Sequence, residues 1–117
     1  METCQRPWGT YAVIHSSGDH QVKTITVAAG RRLSYQTHAR RSEHWYVVSG
    51  SGQVTLSGAV IAVEAGSSVD VPVGAPHRIA NTGDAPLQFI EVQRGDYFGE
   101  DDIVRLDDDF GRTGESG

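Results

Sequence analysis

Residues 30–50 read Gly30-Arg31-Arg32-Leu33-Ser34-Tyr35-Gln36-Thr37-His38-Ala39-Arg40-Arg41-Ser42-Glu43-His44-Trp45-Tyr46-Val47-Val48-Ser49-Gly50. The useful part is the spacing, Gln36-x-His38-x4-Glu43 between two glycines. Side chains two apart on a strand project to one face, so Gln36 and His38 point the same way. A turn at Ala39–Ser42 then returns the chain, so that Glu43 can face them from a neighbouring strand. A second stretch, Gly66-x5-Pro72-x-Gly74-x2-His77-x3-Asn81, uses a Pro-x-Gly turn to deliver His77 at the start of another strand. Two imidazoles, a carboxylate and an amide oxygen form a borderline donor set that suits Zn, Mn, Co, Ni or Fe and leaves coordination positions open.

The rest of the chain predicts the strands this arrangement needs. Its 14 Gly and 4 Pro punctuate short Val/Ile/Thr-rich runs. Strands are expected over 10–15, 21–27, 33–38, 43–49, 52–56, 60–63, 68–71, 77–81 and 87–93. In 21–27 and 87–93 the alternation slips, which in 87–93 suggests a bulge. No apolar recurrence at helical spacing is sustained over three turns, so the class is all-β, a sandwich or barrel. From Gly95 to Arg105 the pattern changes to one suited to a short helical turn or an arm laid over the barrel. Residues 1–112 are expected to form one domain and 113–117 a disordered tail.

Composition narrows the function. A chain of 117 residues with 38% hydrophobic content fills one modest core. With 10 Lys+Arg against 15 Asp+Glu the net charge is -5, which removes the usual electrostatic motive for binding nucleic acid or an anionic membrane. The single Cys4 makes no intrachain disulfide, and no apolar run reaches the length of a membrane span, so a cytoplasmic location is the default expectation. Of the other histidines, His15 and His20 flank a Ser-Ser-Gly-Asp turn and read as solvated, while His44 should point away from Glu43.

The two motifs resemble the paired motifs of the cupin superfamily, with Gln36 where many cupins have a first histidine. Further stretches narrow the resemblance. Arg6-Pro7-Trp8-Gly9-Thr10-Tyr11, Glu43-His44-Trp45, Pro76-His77-Arg78 and Gly99-Glu100-Asp101-Asp102-Ile103-Val104-Arg105 are similar to type II mannose-6-phosphate isomerases. In that family the cupin stands alone or follows a mannose-1-phosphate guanylyltransferase domain. The resemblance implies a double-stranded β-helix of jelly-roll type and interconversion of mannose 6-phosphate and fructose 6-phosphate. It also implies one divalent metal ion, Zn foremost, on Gln36, His38, Glu43 and His77. One departure is plain: the family usually shows three consecutive histidines where this chain has His38-Ala39-Arg40.

Aldose–ketose isomerisation moves a proton between C2 and C1 through an enediol. Lys23 and Glu91 are the candidate bases. A phosphate needs cationic donors, and Arg40, Arg41 and Arg78 are candidates because they flank ligand-bearing strands, with Arg40 and Arg78 preferred and Arg112 added from the family's closing Gly-Arg. A cupin of other metal-dependent chemistry and a non-catalytic sugar- or metal-binding module are the alternatives. A homodimer is expected by family analogy and from the indole in Pro7-Trp8-Gly9, which would gain from burial in a partner.

Overall fold

The computed structural model describes residues 2–112. The chain forms β1 (Thr3–Arg6), β2 (Gly9–Ser16), β3 (His20–Val27), β4 (Tyr35–Thr37), β5 (Arg41–Ser49), β6 (Ser51–Leu56), β7 (Ala59–Glu64), β8 (Ser68–Val71), β9 (His77–Ala80), β10 (Leu87–Gly95) and β11 (Val104–Asp107). They make a 6-stranded sheet in the order β1-β2-β3-β10-β5-β8 and a 5-stranded sheet in the order β11-β4-β9-β6-β7. The pairings are antiparallel, and the two sheets enclose one core, as expected of a double-stranded β-helix. Every strand expected from the sequence is present. The tail at 113–117 lies outside the described residues.

Side-chain alternation divides the barrel into two ends. On β10 the inward residues run Leu87, Phe89, Glu91 and Gln93; on β3 they run Val27, Ile25 and Lys23. Register places Phe89 opposite Ile25 and Glu91 opposite Lys23, so both strands change from apolar to polar at the same level. One end is filled by Val27, Val47, Val54, Ile79, Leu87 and Phe89, each at most 2% exposed. Burying side chains of this kind contributes roughly 1.5–3 kcal/mol apiece before entropy is counted. The opposite end holds the ionisable residues.

Three expectations need correction, concerning β10, Trp8 and the turn between β4 and β5. The alternation in β10 does not change phase; Ile90 and Val92 lie on the other face, and the polar residues between them point inward. The register does shift between Gln88 and Phe89, where β5 fits Val48 as an extra residue between Val47 and Ser49. The segment from Gly95 is an arm with a turn closed by Asp102 N donating to Gly99 O at 3.1 Å, and it ends in β11 beside β4. Trp8 is 7% exposed and packs in the core of its own chain, so it is not the exposed dimer anchor expected. Finally, β4 and β5 belong to different sheets, so the turn between them crosses the barrel rather than closing a hairpin.

Candidate metal centre

His38, Glu43 and His77 are brought together at the polar end, each offering a ligand atom, with these atoms within 4.8 Å of one another. All three residues are buried. Glu43 Oε2 lies 3.4 Å from His38 Nε2, and Glu43 Oε1 lies 3.6 Å from His77 Nε2. Each element contributes for a local reason. Gly74, at φ 80, lets the Pro72–Ala75 turn close, and its N–H donates to the His38 carbonyl at 2.9 Å. β9 starts at His77, directly after that turn. Glu43 is set on β5 between inward-facing Arg41 and Trp45, and the Trp45 indole donates to Glu43 Oε1 at 3.0 Å.

The tautomers suit a cation. His38 Nδ1 is 2.6 Å from Asp102 O, and His77 Nδ1 is 2.9 Å from Ala75 O. A carbonyl only accepts, so both Nδ1 atoms carry the proton and both Nε2 atoms are unprotonated beside Glu43, with Arg41 Nη2 donating to His38 Nε2 at 3.3 Å. Burial, reinforced by the Arg41 charge, holds His38 down to about 4, and burial likewise lowers His77. Both rings are therefore neutral at neutral pH, the form a metal ion requires. Gln36 lines the same cavity and pairs with His77 in register; its Nε2 donates to Ser34 Oγ at 2.9 Å, which leaves the amide oxygen to serve as a donor. The donor set fits one divalent ion.

The cavity wall also includes Arg6, Tyr11, Lys23, Arg41, Arg78, Glu91, Glu100, Arg105 and Arg112. Lys23 Nζ donates to Glu100 at 3.1 Å and sits 4.5 Å from the centre of the Tyr11 ring. Arg78 is fixed by Leu33 O and Asp107, and Arg112 by both oxygens of Asp108. Arg40 is a correction. Its side chain is half exposed, bonds Asp96 at 3.1 Å, stacks on Tyr97 and does not line the cavity. Alternation from inward Glu43 turns Arg41 inward instead, where its Nε donates to Glu43 Oε2 at 2.9 Å. That signal was in the sequence. Nothing local announces Glu100 or Asp102, which reach the site from the arm.

Glu91 is pushed up to about 8 by burial and the neighbouring Glu43 carboxylate. Folded, metal-free protein thus keeps this proton where the unfolded chain, near 4.5, has lost it. The stability it contributes is complete below about pH 4.5 and is lost as pH rises through about 8. His38 acts oppositely: its contribution is present above 6.5 and is lost as pH falls through about 4. The two oppose each other between those limits, and only Glu91 acts above 6.5. Metal-free protein should lose about 2 kcal/mol between pH 6.5 and 8 in urea titrations, and Glu91→Gln should flatten that slope. A flat wild-type profile would contradict the assignment.

The family model for the mannose-6-phosphate isomerase C-terminal domain matches residues 1–108. The chain belongs to that family. It is 51% identical over 110 residues to the alginate biosynthesis protein AlgA of Pseudomonas aeruginosa, covering 94% of this chain and 23% of that protein. It is 47% identical over 108 residues to the mannose-1-phosphate guanylyltransferase ManC of Salmonella typhimurium, covering 92% of this chain and 22% of the relative. This member of the isomerase C-terminal family therefore spans less than a quarter of the length of these relatives. Among solved structures, an S161A mutant of Bacillus subtilis oxalate decarboxylase superposes with TM-score 0.78 at 24% identity, over 91% of this chain and 30% of that one. The capsular polysaccharide assembling protein CapF of Staphylococcus aureus gives 0.77 at 22% identity, over 91% and 34%. These likenesses establish the cupin fold. Among the described residues, no helix is long and apolar enough to cross a membrane.

Proposed function

We propose that this domain is a metal-dependent isomerase interconverting mannose 6-phosphate and fructose 6-phosphate. The observation that carries the reading is the buried His38, Glu43 and His77 cluster in a cavity also lined by Arg6, Arg78, Arg105 and Arg112. A divalent ion held there by these residues and Gln36 would supply Lewis-acid stabilisation of negative charge on the substrate oxygens. Arg78 and Arg112 are held in place by acceptors at the cavity wall and are suited to receive the phosphate. Glu91 is suited to carry the proton between C2 and C1, because it is a buried carboxyl on the inward face of β10 that lines the same cavity beside the metal ligands. Burial of the cluster limits access of bulk water to the reacting carbons.

The His38-Ala39-Arg40 departure weighs little against this reading. Ala39 and Arg40 are exposed and neither lines the cavity, so the change from the family pattern falls outside the space a sugar would enter. Fructose 6-phosphate formation from mannose 6-phosphate should be measurable once Zn, Mn, Co or Ni is restored to chelated protein. Absence of turnover with every metal, in folded and loaded protein, would favour a non-catalytic binding module.

A further inference from the structure

The two imidazoles of the metal centre are oriented in different ways. His77 Nδ1 bonds a carbonyl two residues away, inside its own turn. His38 Nδ1 instead bonds the carbonyl of Asp102, 64 residues along the chain, at 2.6 Å. The same residue's carboxylate accepts from Ala39 N and Arg40 N, one oxygen to each, both at 3.0 Å. Asp102 thus grips the loop carrying His38 at three points. Two adjacent amides on one carboxylate are charge-assisted bonds, stronger than neutral ones.

The surroundings are built for this contact. Gly95, where the arm begins, passes so close to the backbone of Arg40 that a Cβ there would fall on the Arg40 carbonyl oxygen. Arg40 in turn bonds Asp96 and covers the Tyr97 ring at 4.8 Å. Beyond the grip, the arm supplies Glu100, Ile103 and Arg105 to the cavity wall. One segment therefore both orients a ligand and shapes the space beside it.

We propose that Asp102 is a positioning residue of the metal centre: by holding the His38 loop it fixes the ring's tautomer and aim, and it ties metal affinity to docking of the arm. The proposal rests on the metal-site reading. Linkage is reciprocal, so metal that gains affinity from a docked arm must stabilise the docked arm by the same factor.

The test compares wild type, Asp102→Ala and Asp102→Asn in the full chain, with zinc affinity measured by competition with a chromophoric chelator and folding by circular dichroism. Asp102→Ala keeps the carbonyl that bonds His38 Nδ1 but removes the two amide bonds that hold the loop against it, so zinc should bind up to about 10-fold more weakly, the low end of what disturbing the outer partners of a metal-bound histidine costs. Asp102→Asn keeps one acceptor oxygen and should lose less. A core variant, Val54→Ala, should lower stability while leaving zinc affinity in place, which separates positioning from general destabilisation. In wild type, amide exchange at Ala39 and Arg40 should slow on zinc addition. Folded Asp102→Ala with wild-type zinc affinity overturns the inference alone, and if that variant does not fold, unchanged affinity in Asp102→Asn does so. Wild type that binds no zinc overturns the metal-site reading together with it.

Discussion

Protein carrying Ala at His38 or at His77 is expected to lose most of its bound divalent ion. The three ligand side chains are buried, and removing one imidazole takes away a donor that no exposed group replaces. Water can enter the gap, but it is a weaker donor and the remaining sphere becomes one carboxylate and one imidazole with Gln36. The affinity loss should exceed the roughly 10–100-fold cost of disturbing an outer partner. Elemental analysis of purified variants reads the result directly. Unchanged metal content in both would sink the assignment.

Glu91→Gln is expected to lower kcat by about 100-fold or more while leaving metal content intact, because general acid–base groups contribute about 10²–10⁴. Gln keeps the size and hydrogen bonding of the side chain but cannot carry the proton. Lys23, the other candidate, is held by Glu100 and the Tyr11 ring and lies opposite Glu91 in register, placing its ammonium as a fixed charge beside the carboxyl. Lys23→Gln should therefore cost less than Glu91→Gln. The reverse order, with both variants folded and loaded, would assign the proton transfer to Lys23.

The barrel and the convergence of Gln36, His38, Glu43 and His77 could be read from the sequence because strand alternation and the Pro-x-Gly turn are local signals. Misreadings arose where the inward face is polar. The apolar residues Leu87, Phe89, Ile90 and Val92 read as a slip in alternation, whereas β10 keeps its phase with Glu91 and Gln93 inward. Arg40 was preferred to Arg41 although both flank ligand-bearing strands, and counting in twos back from Glu43 selects Arg41 for the inside. Trp8 shows the converse, since a large apolar residue near a terminus found its partners within the same core. The role of Asp102 was invisible because its partners are more than 60 residues distant and no periodicity links them.

The division of the barrel into apolar and ionisable ends implies a trade between durability and function. At the polar end Arg41 and Glu43 form a buried ion pair, and Arg41 Nη1 is buried there without a hydrogen-bond partner. Taking such charges out of water costs more than their attraction commonly returns, and well-packed apolar replacements often gain about 1–4 kcal/mol. A variant selected only for heat resistance should drift toward Met or Leu at these positions and become a more durable barrel that no longer holds a metal ion. The apolar end carries no such conflict, so selection for stability and selection for chemistry act on opposite halves of one small domain.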